Sequence, residues 1–304
     1  MWLIFAITTT LIWGIAEIFY KKGARQEERY AHLKICVCVG TVMGLHAIFT
    51  LATQHISYDP VNLLRYLPVS ACYIVSMTAS FFGCRFIEES ISDPIENTSG
   101  AICTLMCIGI LGSSISRSSI VAIIIMLIGI LGIGYMERSA ENNRGKRIGK
   151  KMAAIAFAMP FCYAILDALG SFLDIYYLDV ATSPLKGVSE ANIEEVANTS
   201  YELTFAIAAI ILYAYIRSKG VRFGSLLDQK DKIIAAICET AGQFTYVFAM
   251  SGNGAIAAPI ISSVCVVSLV LSRAILKEKL TRKQYIYLVL IITGVLMLAI
   301  AEEA

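Results

Sequence analysis

The sequence predicts an all-α membrane protein: ten transmembrane helices arranged as two inverted five-helix repeats. Three observations lead there. Apolar residues make up 57% of the chain and charged residues 16%, against about 45–50% and about 25% in soluble domains. The apolar residues arrive in long blocks, as a bilayer-crossing helix of roughly 20 apolar residues requires. The stretch from Ser251 to Ile300, two apolar runs around the basic hinge Lys277-Glu278-Lys279-Leu280-Thr281-Arg282-Lys283, is also echoed earlier in the chain. One gapless shift of 165 positions places Ile256 on Ile91, Pro259 on Pro94, Ile275-Leu276 on Ile110-Leu111, Arg282 on Arg117 and Gly294 on Gly129.

Taken in order, the apolar blocks predict spans over about 2–20, 32–51, 64–86, 92–112, 118–136, 152–173, 198–216, 231–250, 254–276 and 284–301. This divides the chain into a first repeat (1–136), a basic cytoplasmic linker (137–151) and a second repeat (152–304). Five spans per repeat is an odd number, so the second copy enters the membrane from the opposite side, a construction common in secondary transporters. The first span is not read as a cleavable signal, because it has no basic start and no small-residue cleavage site and it holds Glu17. Residues 174–197 read as an acidic loop containing Asp174, Asp179, Glu190, Glu194 and Glu195.

Of the 25 lysines and arginines, all but Arg65, Arg117 and Lys186 fall in or beside the loops that follow the odd-numbered spans. The positive-inside rule therefore puts those loops in the cytoplasm of a multi-pass cell-membrane protein and both termini outside. The basic residues lie in separate short hinges, which excludes a nucleic-acid surface. The nine cysteines sit in or at the ends of apolar blocks without a CxxC pair, as packing residues do. There is no Walker loop, HExxH or supportable Ser-His-Asp arrangement, so no cofactor, metal or enzymatic activity is expected.

Charges inside a span are costly and mark function by default. Thr10, Trp13 and Glu17 share a face of span one, and Pro160, Tyr163 and Asp167 repeat the spacing in span six. Glu239, Gln243 and Tyr246 share a face of span eight. Span four opens on Asp93-Pro94, where acids and proline suit the first turn of a helix, while Glu96 and Asn97 lie a turn deeper. Span three offers Tyr73 at its middle. Arg65 and Arg85 read as interface anchors, Arg273 as another anchor or a partner for an anionic group, and His46 as a packing residue. The substrate-binding or proton-coupling candidates are thus Glu239, Asp167, Glu17, Glu96, Asn97, Trp13, Tyr73, Tyr163, Gln243 and Tyr246. Pro94, Pro259 and Pro160 are the candidate gating or hinge positions.

With Leu11-Ile12-Trp13-Gly14, the segments around Pro94 and Pro259, and Glu278-Lys279-Leu280-Thr281 followed by Gln284 and Gly294, the chain resembles the drug/metabolite transporter superfamily, in particular its ten-span EamA group. The resemblance implies two inverted five-helix repeats and a central cavity lined mainly by spans one, three, four, six, eight and nine. It also implies alternating access for small metabolites or drugs. Two departures stand out. The first-half counterpart of the Glu-x-Leu-Thr hinge is reduced to Ser113-Ser114-Ile115-Ser116, and the charge count puts the termini outside, whereas many such carriers are expected to keep them inside.

The reading is a secondary active transporter of a small cationic or zwitterionic organic solute, coupled to protons, with membrane lipid as its surroundings and its oligomeric state undetermined. The alternatives are a lipid-linked sugar carrier or flippase, and a non-transporting membrane sensor or scaffold. An intramembrane enzyme is disfavoured by the scarcity of histidine.

Overall fold

The apolar blocks form helices from end to end. The computed structural model describes residues 1–25, 27–54, 56–86, 89–141, 150–276 and 282–303, and among these it contains eleven α-helices and no strand. They are α1 (Trp2–Gly23), α2 (Ala31–Thr53), α3 (Val61–Gly83), α4 (Glu89–Glu96), α5 (Ser99–Ile110), α6 (Arg117–Glu141), α7 (Lys150–Leu178), α8 (Ile193–Ser218), α9 (Lys230–Ile261), α10 (Val264–Leu276) and α11 (Arg282–Glu303). Six are long and apolar enough to cross a membrane: α1, α2, α3, α8, α9 and the Ala154–Leu178 part of α7. Their outer faces leave side chains such as Ile4, Leu45, Ile165 and Ile210 exposed, a surface that hydrocarbon covers and water does not. The basic hinge over 277–281 and most of the linker (142–149) lie outside the described residues, as do the side chains of Pro94 and Arg273.

Two of the expected spans are interrupted. The span read over 92–112 is α4 and α5, separated at Asn97-Thr98, and the span read over 254–276 breaks between α9 and α10 at Ser262-Ser263. The backbone of Asn253 is also non-helical (φ −160°, ψ 71°), which marks the boundary expected between spans eight and nine. Each break begins three residues after a proline, and local polar side chains explain it better than the prolines do. Asn97 Nδ2 donates to the Asp93 carbonyl at 2.7 Å, Thr98 Oγ1 to that of Ile95 at 2.7 Å and Ser263 Oγ to that of Ile260 at 2.6 Å. Such bonds compete with the helical ladder for the same carbonyls.

The structure corrects three sequence readings. Asp174 is not in a surface loop, because α7 continues to Leu178 and Asp174 is fully buried within it. Glu194 and Glu195, read into the same loop, form the acidic first turn of α8, where they oppose the helix dipole favourably. Lys34 and Lys232, read as flanks of exposed basic loops, are 5% and 1% exposed. Both donate at 2.7 Å to Glu28 in the α1–α2 connection, one to each carboxylate oxygen. Arg85, just beyond α3, donates to the Glu28 carbonyl at 3.1 Å. One carboxylate therefore ties together the starts of α2 and α9, with α3 held to the same loop.

Inside the bundle α1 runs along α9, α3 along α7, α2 against α8 and α6 against α11, and α5 crosses α9. That crossing is close because Gly100 has no side chain. A Cβ there would stand 2.5 Å from the Ala258 carbonyl oxygen and 2.3 Å from Ser262 Oγ. The Gly100 amide instead donates to Ser262 Oγ at 3.0 Å. Gly100→Ala forces backbone apart, and such overpacking destabilises by about 2 kcal/mol. A lowered melting temperature of the purified protein in detergent is the expected result.

Candidate functional site

The helices that meet at the two breaks enclose a central cavity of about 130 Å³. Its floor and walls follow from helical spacing. On α1, Trp13, Glu17 and Tyr20 recur every three to four residues and face inward. On α3 the inward stripe includes Tyr73, Met77 and Ser80, continued by Cys84 just past its end, and on α7 it is Tyr163, Asp167 and Ser171. On α9 it is Glu239, Gln243 and Tyr246. The broken helix α4/α5 adds Asp93, Glu96, Asn97 and Ser99, and the second break adds Ser262.

All ten residues singled out for binding or coupling line this one cavity: Glu239, Asp167, Glu17, Glu96, Asn97, Trp13, Tyr73, Tyr163, Gln243 and Tyr246. Of the hinge candidates, Pro259 is buried in α9 next to the second break and Pro160 is buried within α7. Pro94 lies in α4, three residues before the first break.

The electrostatics are one-sided. Five carboxylates, those of Glu17, Asp93, Glu96, Asp167 and Glu239, line the cavity, and the described residues lining it include no lysine, arginine or histidine; Lys21, in the last turn of α1, sets its charge beside Glu17 and Asp93 from outside the lining. Neutral donors address several of them. The Tyr20 hydroxyl donates to Glu239 Oε2 at 3.0 Å. Ser80 and Ser92 donate to the two oxygens of Glu96 at 2.8 and 2.6 Å, and Ser99 and Tyr163 stand beside Asp167. Among the described residues lining the cavity, two buried polar atoms have no hydrogen-bond partner, Glu17 Oε2 and Gln243 Nε2. Leaving such a group unpaired costs about 1–3 kcal/mol, so both invite an occupant.

The aromatic wall is built around a missing side chain. The rings of Trp13 and Tyr246 stack with centroids 5.2 Å apart, and Trp13 Nε1 donates to the Glu239 carbonyl at 3.3 Å. The indole fits because α9 has Gly242 there; a Cβ would fall 2.3 Å from Trp13 Cδ1. Gly242→Leu must expel the indole from its place beside Glu239. The expected outcome is a shifted tryptophan fluorescence spectrum and a lowered melting temperature, with an overpacking cost of about 2 kcal/mol.

Sequence reasoning passed over several of the groups that matter here. Asp93, expected in the first turn of a helix, lies a full turn inside α4, which begins at Glu89, and faces the cavity. Tyr20 and the serines on α3, α5 and α7 were not singled out, although the inward spacing of Ser80 with Tyr73 and of Ser171 with Asp167 was there to be counted. His46, read as a packing residue, has Nδ1 2.8 Å from both carboxylate oxygens of the fully buried Glu202 on α8. An in-span carboxylate was itself the missed signal.

Comparison with known proteins agrees with this architecture. A solved crystal structure of another protein superposes with a TM-score of 0.70 at 11% sequence identity, over 99% of this chain and 98% of that one. At that identity the likeness speaks for the fold. The curated protein sequences contain no significant match. The sequence model of the EamA-like transporter family matches residues 1–135 and 186–300. The chain therefore belongs to the EamA-like transporter family within the drug/metabolite transporter superfamily, and is a multi-pass membrane transporter of small molecules.

Proposed function

We propose that the protein is a secondary active transporter that moves a small organic cation across the membrane by alternating access, in exchange for protons. The observation that supports the cargo class is the excess of cavity carboxylates, five against the single lysine Lys21, which stands outside the lining and sets its charge beside Glu17 and Asp93. Ionised carboxylates held together inside a bundle repel one another and need positive charge nearby. A bound cation supplies it when cargo is present, and protons supply it when cargo has left. A single carboxylate accepts one or the other, and that exclusion is the source of coupling. The stacked Trp13 and Tyr246 and the nearby Tyr163 offer ring faces to a cation.

The same reading takes the chain as ten spans in two inverted repeats. The helix breaks at 97–98 and 262–263 are separated by the shift of 165 positions that aligns the halves in sequence. Exchanging the halves carries the α1–α9 packing onto α7–α3, carries α2–α9 onto α8–α3, and leaves α2–α8 and α6–α11 unchanged. The family match also falls into two parts, one in each half. The placement of lysine and arginine then turns both termini outward, and a C-terminal reporter active only in the cytoplasm should stay silent.

The test is transport by protein reconstituted into vesicles, with the aromatic cation ethidium as the probe. An acidic vesicle interior should drive saturable ethidium uptake that nigericin abolishes. Folded, reconstituted protein that gives no pH-gradient-driven flux overturns the proposal and favours a sensor or scaffold.

A further inference from the structure

Behind the cavity wall lies a carboxylate that the site itself does not use. Asp174, one helical turn beyond Ser171 on α7, is fully buried and does not line the cavity. Its recorded partners are phenols. The Tyr66 hydroxyl donates to Oδ1, and the Tyr73 hydroxyl lies 3.4 Å from Oδ2. Tyr73 also reaches the cavity: its hydroxyl is 2.7 Å from that of Tyr246 and 3.1 Å from Ser171 Oγ, which lies 3.1 Å from the Tyr246 hydroxyl as well. Tyr73, Tyr246 and Ser171 all line the cavity. A chain of hydroxyls thus leads from the cavity to a single acid.

The surroundings of Asp174 are otherwise neutral or acidic. Tyr66 and Tyr73 face it from α3, Tyr201 from α8, Tyr246 from α9 and Cys103 from α5, with Asp167 two turns away on α7 itself. Among the described residues, no basic side chain forms an ion pair with it. A structural ion pair therefore does not account for this buried acid. The hydroxyls, each able to give one hydrogen and accept another, connect it to the place where cargo and protons exchange.

We propose that Asp174 is a second proton-carrying site, separate from the cation site and reached from the cavity through Tyr73. A proton arriving at the Tyr246–Tyr73 pair binds the Tyr73 oxygen as the hydrogen already there passes to Asp174 Oδ2. The carboxylate becomes a neutral acid, Tyr73 is regenerated, and no electron moves. The 3.4 Å step is the longest in the relay and shortens as the transfer occurs. The same steps in reverse return the proton to the cavity. This rests on the proton-exchange reading above and adds a count to it. Two protons leave for each monovalent cation that enters, one from the cavity carboxylates and one from Asp174, so each cycle moves one net charge.

Vesicles distinguish the two claims. With a single net charge moved, a tenth of a volt shifts equilibrium accumulation about fifty-fold. An inside-positive potential, imposed with valinomycin and a potassium gradient, should therefore speed ethidium uptake by the wild type. Passive entry of a cation responds in the opposite direction. Asp174→Asn should keep ethidium binding and pH-driven uptake but lose the response to potential, and Asp174→Glu should restore it. If wild-type uptake ignores the pH gradient, the functional reading falls and this inference with it. If uptake follows the pH gradient but ignores potential, or Asp174→Asn remains as potential-sensitive as the wild type, only the second site is refuted. Should Asp174→Asn fail to reconstitute, Tyr66→Phe leaves the carboxyl but removes one donor. It should shift the pH at which the potential response is half-maximal, and an unshifted midpoint overturns the proposal.

Discussion

Glu239→Gln should weaken ethidium binding by roughly 30-fold, the effect of about 2 kcal/mol expected when one partner of a buried charged contact is neutralised. Driven uptake should fall with it. The substitution separates charge from shape. Glutamine has nearly the same volume, and its amide oxygen can still accept the Tyr20 hydroxyl that meets Glu239 at 3.0 Å. The Trp13 indole bonds to the carbonyl of residue 239 and not to its side chain, so the aromatic wall stays in place. The melting temperature without ligand should therefore stay near that of the wild type. A variant that binds and transports like the wild type would show that this carboxylate is a packing partner for Tyr20 and not a contact for cargo. A variant that loses its fold would point the same way.

The second large effect lies at the basic end of the bundle and concerns stability. Glu28→Gln removes the charge that two nearly inaccessible ammonium groups, those of Lys34 and Lys232, share at 2.7 Å each. Breaking a buried pair leaves its partner uncompensated and typically costs 3–5 kcal/mol. Glu28 itself is partly exposed, so about 3 kcal/mol is the expectation here. The pH dependence has a definite sign. Burial alone would raise the Glu28 carboxyl, but hydrogen bonds and charge from Lys232 and Lys34 outweigh it and hold it below its ordinary value of 4.5. A group lowered in the folded state stabilises fully above its unfolded value and loses that contribution as pH falls through the folded one. The gap in melting temperature between wild type and Glu28→Gln should thus be full at neutral pH and close on acidification below about 4.5. A gap that persists unchanged into acid would mean that the carboxylate charge is not what holds the three segments together.

The cavity was largely legible in the sequence because hydrocarbon makes in-span carboxylates conspicuous. Glu17, Asp167 and Glu239 each stood out against apolar neighbours, and counting three or four residues along each helix brought Trp13, Tyr163, Gln243 and Tyr246 with them. Asp174 was missed because Tyr176, Asp179 and the acids beyond it blur the end of the apolar block. The helix continues through that blur since its inner face still has polar partners, Tyr66 and Tyr73 on α3. Glu28, Lys34 and Lys232 were missed for a different reason. Positive charge at a helix end ordinarily marks the interface, and nothing local says that two lysines some 200 positions apart meet one acid. The helix breaks were half legible. The prolines announced an irregularity, and the side-chain bonds of Asn97, Thr98 and Ser263 decided where it fell.

The contact between the two interrupted helices has a mechanical consequence. The Gly100 amide at the start of α5 donates to Ser262 Oγ, the first residue of the opposite break, with no intervening side chain. Moving either discontinuity alone breaks that bond and parts the close backbone contact, so the geometry favours their turning together, as two levers joined at one fulcrum do. If each half governs access from its own face of the bilayer, opening one entrance closes its twin, and the pin itself guards against a leak.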